Sequence, residues 1–79
     1  MKISVVSGGF DPIHSGHINY ISAAKKMGDL LIVMLNSDEW LKDKKGKPFM
    51  PFSERKQILE NIKDVDKVIG LSLLQISEP

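Results

Sequence analysis

Six consecutive apolar residues, Leu30-Leu31-Ile32-Val33-Met34-Leu35, constrain this 79-residue chain more than any other feature. A strand with one wet face alternates apolar and polar side chains. An unbroken run fits a central strand covered on both faces, which is the habit of parallel sheets. Asn36-Ser37-Asp38 ends the run, and on either side of it the apolar period changes. Ile3, Val5 and Val6 form a shorter β-branched stretch, closed by Ser7-Gly8-Gly9, that predicts another buried parallel strand. From about His17, the residues Ile18, Ile21, Ala24 and Met27 recur near helical spacing; Lys25 and Lys26 sit where cations suit a helix C-terminus, and Gly28 ends the helix.

Residues 39–52 have no clean period and hold Asp43-Lys44-Lys45-Gly46-Lys47-Pro48, which predicts a loop with a short helical turn at 39–41. Ser53 reads as the N-cap of a second helix, with Glu54 in its first turn and Ile58, Leu59 and Ile62 as the buried stripe. A third strand follows over residues 65–69. Strands alternating with helices predict right-handed crossovers and an α/β, Rossmann-like three-layer fold with a short parallel sheet in βαβαβ order. Residues 1–79 form a single domain without repeat, low-complexity segment or linker.

In an open parallel sheet the ligand belongs at the carboxyl ends of the strands, near the point where strand order reverses. That rim collects residues 8–17 after the first strand and residues 36–47 after the second. The first of these, Gly8-Gly9-Phe10-Asp11-Pro12-Ile13-His14-Ser15-Gly16-His17, reads as a phosphate-handling turn. Its glycines let backbone approach a ligand closely, and a helix beginning near Ser15 or Gly16 would aim unpaired N–H groups at an anion. Two histidines three residues apart stand at that helix mouth. Other readings compete: a histidine pair can bind zinc, although only carboxylates such as Asp11 are on offer as further ligands, and a lysine cluster such as 42–47 is often only a solvated loop.

Composition narrows the classes. Without cysteine there is no disulfide framework and no thiolate metal site. Charged residues at 27% and hydrophobic residues at 42% are ordinary for a soluble globular domain. The net charge of +1, without aromatics interleaved among the lysines, speaks against nucleic acid. No apolar run approaches the roughly 18 residues of a membrane span, so no membrane partner is expected and a cytoplasmic protein is the default. Neither a Walker GxxxxGK nor a GxGxxG fingerprint is present.

Gly8-Gly9-Phe10-Asp11 with His14-Ser15-Gly16-His17 resembles the GxFDxxHxGH signature of the cytidylyltransferase-like nucleotidyltransferases. From Lys2 to about Gly70 the chain is similar to the first half of glycerol-3-phosphate cytidylyltransferases and of the adenylyltransferase domain of heptose-phosphate enzymes. The resemblance implies transfer of CMP, or AMP, from CTP or ATP with Mg²⁺ to a phosphorylated small-molecule acceptor, with CTP slightly ahead. By the same resemblance His14 and His17 donate hydrogen bonds to the triphosphate, and Gly9 and Phe10 present backbone N–H groups. Gly8 belongs to the same nucleotide-binding turn, and Gly16 keeps the helix mouth clear of a side chain. Asp11 either orients the turn, the favoured reading, or helps to position Mg²⁺.

Lys44 falls where the similar cytidylyltransferases contact substrate phosphate. Their second lysine position is Gly46 here, so Lys45 or Lys47 is expected to take its place, and Arg55 matches an arginine able to grip a phosphate bidentately. Residues 71–79 match nothing in the family, and its second half, which completes the nucleotide site, has no counterpart here. A short sheet with an open edge predicts a homo-oligomer, in the simplest case a dimer, with the apolar tail as a possible cover. The alternatives to an enzyme are therefore a catalytically incomplete phosphate-binding module and a self-associating interaction domain.

Overall fold

The computed structural model describes residues 1–71. Strand β1 (Ile3–Gly8) leads into helix α1 (Ser15–Lys25) and strand β2 (Leu30–Asn36); α2 (Asp38–Lys45) and α3 (Phe52–Glu60) then precede β3 (Lys67–Leu71). The three strands are parallel in the order β1-β2-β3, with Ile3 opposite Leu30 and Ile32 opposite Lys67. This is the Rossmann-like α/β fold that the alternating periods predict. The tail at 72–79 lies outside the described residues, and with it the expectation that it covers the sheet. Among the described residues no helix is long and apolar enough to cross a membrane.

Both crossovers step across the sheet in the same direction, so with the usual right-handed sense their helices land on the same face. The core agrees: Val6, Leu31, Val33, Leu35 and Val68, which alternate onto one face of the strands, cluster with Ile21 of α1 and Leu59 of α3. The described residues thus supply two layers of the fold. On the other face Ile3 and Val5 are exposed, contrary to the expectation of a strand buried on both sides. Ile32 and Met34 of β2 are only half-covered there. The apolar run of β2 was a sound sign of a central strand, but only its odd-numbered residues are sealed.

Local differences from the sequence reading have local causes. In α1 the stripe narrows to Ile21 and Ala24, since the single face it covers leaves Ile18 and Met27 in solvent. The stretch expected to be mostly loop contains a full helix, α2. The Ser37 hydroxyl accepts from the Trp40 amide at 3.1 Å, Asp38 and Glu39 complement the helix dipole, and Gly46 ends it with φ 84. Helix α3 starts one residue before Ser53, with Pro51 at its N-cap presetting the backbone and no side-chain cap. The third strand begins two residues later than expected, at Lys67. Asp66, just before it, accepts from Lys25 Nζ at 2.6 Å and from the Leu31 amide at 2.7 Å, and these bonds hold its carboxyl below the usual carboxylate range.

A one-sided core predicts one-sided sensitivity to truncation. Leu59→Ala, at a position fully sealed from solvent, is expected to lower the unfolding free energy by about 2–5 kcal/mol. Val5→Ala, on the open face, should stay within about 0.5 kcal/mol. Urea denaturation of both variants checks the difference, and equal losses would contradict it.

Candidate functional site

The turn after β1 is built by backbone demands that few residue types satisfy. Phe10 adopts φ 51, a left-handed conformation that costs an L-residue on the order of 1 kcal/mol. Its ring offsets that cost by burying to 4% exposure and meeting His17 edge-on, with centroids 4.9 Å apart. A Cβ at Gly9 would lie 2.8 Å from Leu41 Cδ2, so the turn packs directly against α2. The Asp11–Pro12 bond is cis. Both Asp11 oxygens accept backbone N–H groups from across the rim, Phe49 at 2.6 Å and Met50 at 2.6 Å. The carboxylate orients the turn against the segment that enters α3.

His14 is the N-cap of α1. Its Nδ1 accepts from the Gly16 amide at 3.0 Å, while His17 Nδ1 accepts from the His14 amide at 3.1 Å, a reciprocal capping box made of two imidazoles. The rings lie 4.1 Å apart between centroids. An acceptor Nδ1 in a neutral imidazole places the ring proton on Nε2. Both histidines are therefore set as Nε2–H donors. The sequence pointed to a helix mouth with open N–H groups; instead the Gly16 amide is already spent on His14. What a ligand would meet is the far side of each imidazole. Burial, and then the nearby His14, push the His17 pKa below the usual histidine value.

Gly16 also acts differently from the expectation. A Cβ there would stand 2.8 Å from His14 Cε1 and 3.0 Å from its Nδ1. The glycine makes room for the imidazole cap rather than directly for a nucleotide.

Arg55 is the largest departure. Its side chain is fully buried: Nε donates to the Met50 carbonyl at 3.0 Å, Nη1 to the Gly9 and Asn36 carbonyls at 2.9 and 2.7 Å, and Nη2 to Asp38 Oδ1 at 2.6 Å. A bidentate grip on phosphate would require breaking this set. Sequence matching found the right arginine but not its partners, because Gly9, Asn36, Asp38 and Met50 are distant in the chain. Asp38 and Met50 were missed altogether as parts of the site's support; Asp38, first residue of a capped helix, offered the only sequence signal.

Of the lysines, Lys44 and Lys45 belong to α2 and Lys47 to the loop beyond it. Lys44 Nζ lies 5.5 Å from the centre of the Trp40 ring, a cation–π contact at the site's outer edge. Among the described residues no three His, Cys, Asp or Glu side chains gather as a metal site.

Two measurements check this geometry. Arg55→Met should cost about 3 kcal/mol of stability, because it strands Asp38 and three carbonyl groups without their donor; a phosphate-gripping arginine would leave stability nearly unchanged. In the folded chain the His17 ring should titrate below about 6.5. Since its folded pKa lies under the unfolded value, the unfolded chain binds the proton first. Stability from this group is present above about pH 6.5 and is lost as pH falls from there through the lowered folded value. Imidazole NMR across pH, read beside denaturation curves, tests both the sign and the Nε2–H tautomer.

Comparison with known proteins bears on the family and the fold. The chain is 46% identical over 70 residues to an FAD synthase of Pyrococcus horikoshii, covering 86% of this chain and 47% of that protein. To an FAD synthase of Ferroglobus placidus it is 42% identical, with 87% and 45% covered. A bifunctional protein HldE of Sodalis glossinidius is 40% identical over 73 residues, covering 90% of this chain and 15% of that protein. The chain thus spans about half the length of the curated FAD synthases it matches. In three dimensions it superposes on a lipopolysaccharide core biosynthesis protein of Thermoplasma volcanium with a TM-score of 0.85 at 31% identity, covering 90% of this chain and 58% of that one. Its residues 5–78 match the Cytidylyltransferase-like family over nearly their whole length, and the chain belongs to that family.

Proposed function

We propose that the chain provides the triphosphate-binding half of a nucleotidyltransferase site. In such a reaction an acceptor phosphate oxygen attacks the α-phosphorus of a nucleoside triphosphate; a new P–O bond forms, the bond to the β-phosphate bridge breaks, and pyrophosphate leaves with the electron pair. The reaction needs alignment and charge stabilisation more than covalent help. The observation that carries this reading is the imidazole pair, in which a backbone amide bonded to each Nδ1 leaves a neutral Nε2–H donor. Hydrogen bonding at Nδ1 polarises the ring and strengthens that donor toward a phosphate oxygen. Loss of one such donor commonly slows transfer about 100- to 1000-fold.

Similarity to proteins named FAD synthase and HldE supports AMP transfer from ATP, with CTP as the alternative that the sequence reading placed slightly ahead. FAD joins AMP to flavin mononucleotide, so a flavin phosphate is the leading acceptor. Mg²⁺ belongs to this proposal as part of the triphosphate substrate. Lys44, Lys45 and Lys47 are the candidate cations for substrate phosphates, and Arg55 holds the turn that they serve. A second reading, self-association, is favoured by the β1 edge, open among the described residues, beside the exposed Ile3, Val5, Tyr20 and Met27.

Thermal unfolding with Mg²⁺ and each of ATP, CTP, GTP and UTP tests the main reading. A ligand at 100 times its Kd adds about 2.7 kcal/mol, which is roughly 10–20 °C for a domain of this size. The expected outcome is a rise with ATP or CTP that vanishes in the His14→Ala, His17→Ala double variant. The nucleotide-dependent increment is what counts, because removing the caps lowers the baseline by about 1 kcal/mol for each. No rise at millimolar concentrations of any nucleotide would overturn the proposal.

A further inference from the structure

The first turn of helix α2 rests on the turn that follows β1. Its backbone is fixed twice: the Ser37 hydroxyl accepts from the Trp40 amide at 3.1 Å, and Asp38 Oδ1 accepts from the buried Arg55 Nη2 at 2.6 Å. From that backbone Leu41 and Trp40 both reach Gly9. A Cβ placed there would lie 2.8 Å from Leu41 Cδ2 and 3.9 Å from Trp40 Cζ3, so the indole edge lies against the turn that leads to His14. Leu41 is buried in this packing, whereas the Trp40 ring is only half-covered and keeps surface for another contact.

That contact is Lys44. One helical turn further on, its Nζ lies 5.5 Å from the centre of the Trp40 ring. Side chains of an α-helix tilt toward its N-terminus, and the N-terminus of α2 is the end that leaves β2 at the carboxyl rim of the sheet. The ring therefore draws the ammonium back along the helix toward Gly9. Two tendencies oppose it. The long lysine stem gains rotamer freedom in solvent, and Lys44 lies in the last turn of α2, where the helix dipole attracts a cation away from the rim.

We infer that Trp40 is a positioning residue of the phosphate site: seated on Gly9, its indole holds the Lys44 ammonium beside the histidine turn until a phosphate group takes it. The inference rests on the transfer reading above, in which Lys44 serves a substrate phosphate, and adds the residue that aims it. An ammonium–phosphate bond is stronger than an exposed cation–π contact, so the ring presents the lysine without retaining it. Trp40 is the single tryptophan of the chain, and its emission therefore reports the departure of the ammonium.

Inorganic tripolyphosphate, which carries no chromophore, is the probe. Titrated into the whole chain, it is expected to change Trp40 emission saturably, and Lys44→Met should abolish that change. Calorimetry with the same anion should show binding about two- to fivefold weaker in Trp40→Leu and largely restored in Trp40→Phe, whose ring can still face the ammonium. In a Lys44→Met background Trp40→Leu should cost nothing more, whereas an indole that only packs against Gly9 would cost as much in either background. Equal affinity in Trp40→Leu, or the same loss with and without Lys44, would overturn the inference. Should Trp40→Leu fail to fold, the emission of Lys44→Met decides, and a response equal to that of the unaltered chain is the contrary result. Binding that is lost in the His14→Ala, His17→Ala variant but indifferent to Trp40 sinks this inference alone. No binding by the unaltered chain at millimolar concentration sinks the transfer reading and this inference with it.

Discussion

The buried guanidinium of Arg55 is the interaction on which the rest of the rim depends. It lies under four pieces of chain: the turn after β1, the end of β2, the first residue of α2 and the segment entering α3. Each piece ends with a polar group facing inward that only a donor can satisfy, and the planar fork of an arginine reaches them together. A lysine, with a single donating centre, could not replace it. Removing water from an arginine is expensive, and the four acceptors around the guanidinium offset that cost while tying these strand ends together.

The histidine turn is assembled within that frame by a different economy. Helix α1 begins without an acidic residue in its first turn and without a hydroxyl cap. The N-terminal orphan donors fall to the two imidazoles, which tie up Nδ1 on each ring and orient both rings together. One set of bonds therefore starts the helix, selects the tautomer and leaves two Nε2–H donors beyond the carboxyl end of β1, at the N-terminus of α1. The strained backbone of Phe10 is tolerated because its ring is locked between the core and His17.

The scaffold around this turn is one-sided. Both long crossover helices cover the same face of three strands, and the site stands at the carboxyl end of β1, an edge strand among the described residues. The solved neighbour from Thermoplasma volcanium matches only over 58% of its own length, consistent with a family fold in which more chain accompanies this unit. Among the described residues the β1 edge is open and Ile3 and Val5 are exposed, so the core they share is small. The network of Arg55, Asp11 and Asp38 matters correspondingly more.

By itself, the sequence determined the three strands, helices α1 and α3, and the place of the signature at the turn after β1. The apolar run of β2, the glycine turn after β1 and the spacing of His14 and His17 are local properties, and local periodicity with turn chemistry is enough to read them. It also implied the family, because the signature lies in one contiguous stretch. Tertiary structure alone decided what each polar group is used for. Arg55 looked like a phosphate ligand until Gly9, Asn36, Asp38 and Met50 were folded around it; Gly16 looked like an open door until the His14 ring occupied the space. The same applies to the exposed face of β1, since burial depends on which side the helices cross and not on how apolar a strand is. Hydrogen-bond partners and solvent cover are set by residues far apart in the chain, and no local pattern carries that information.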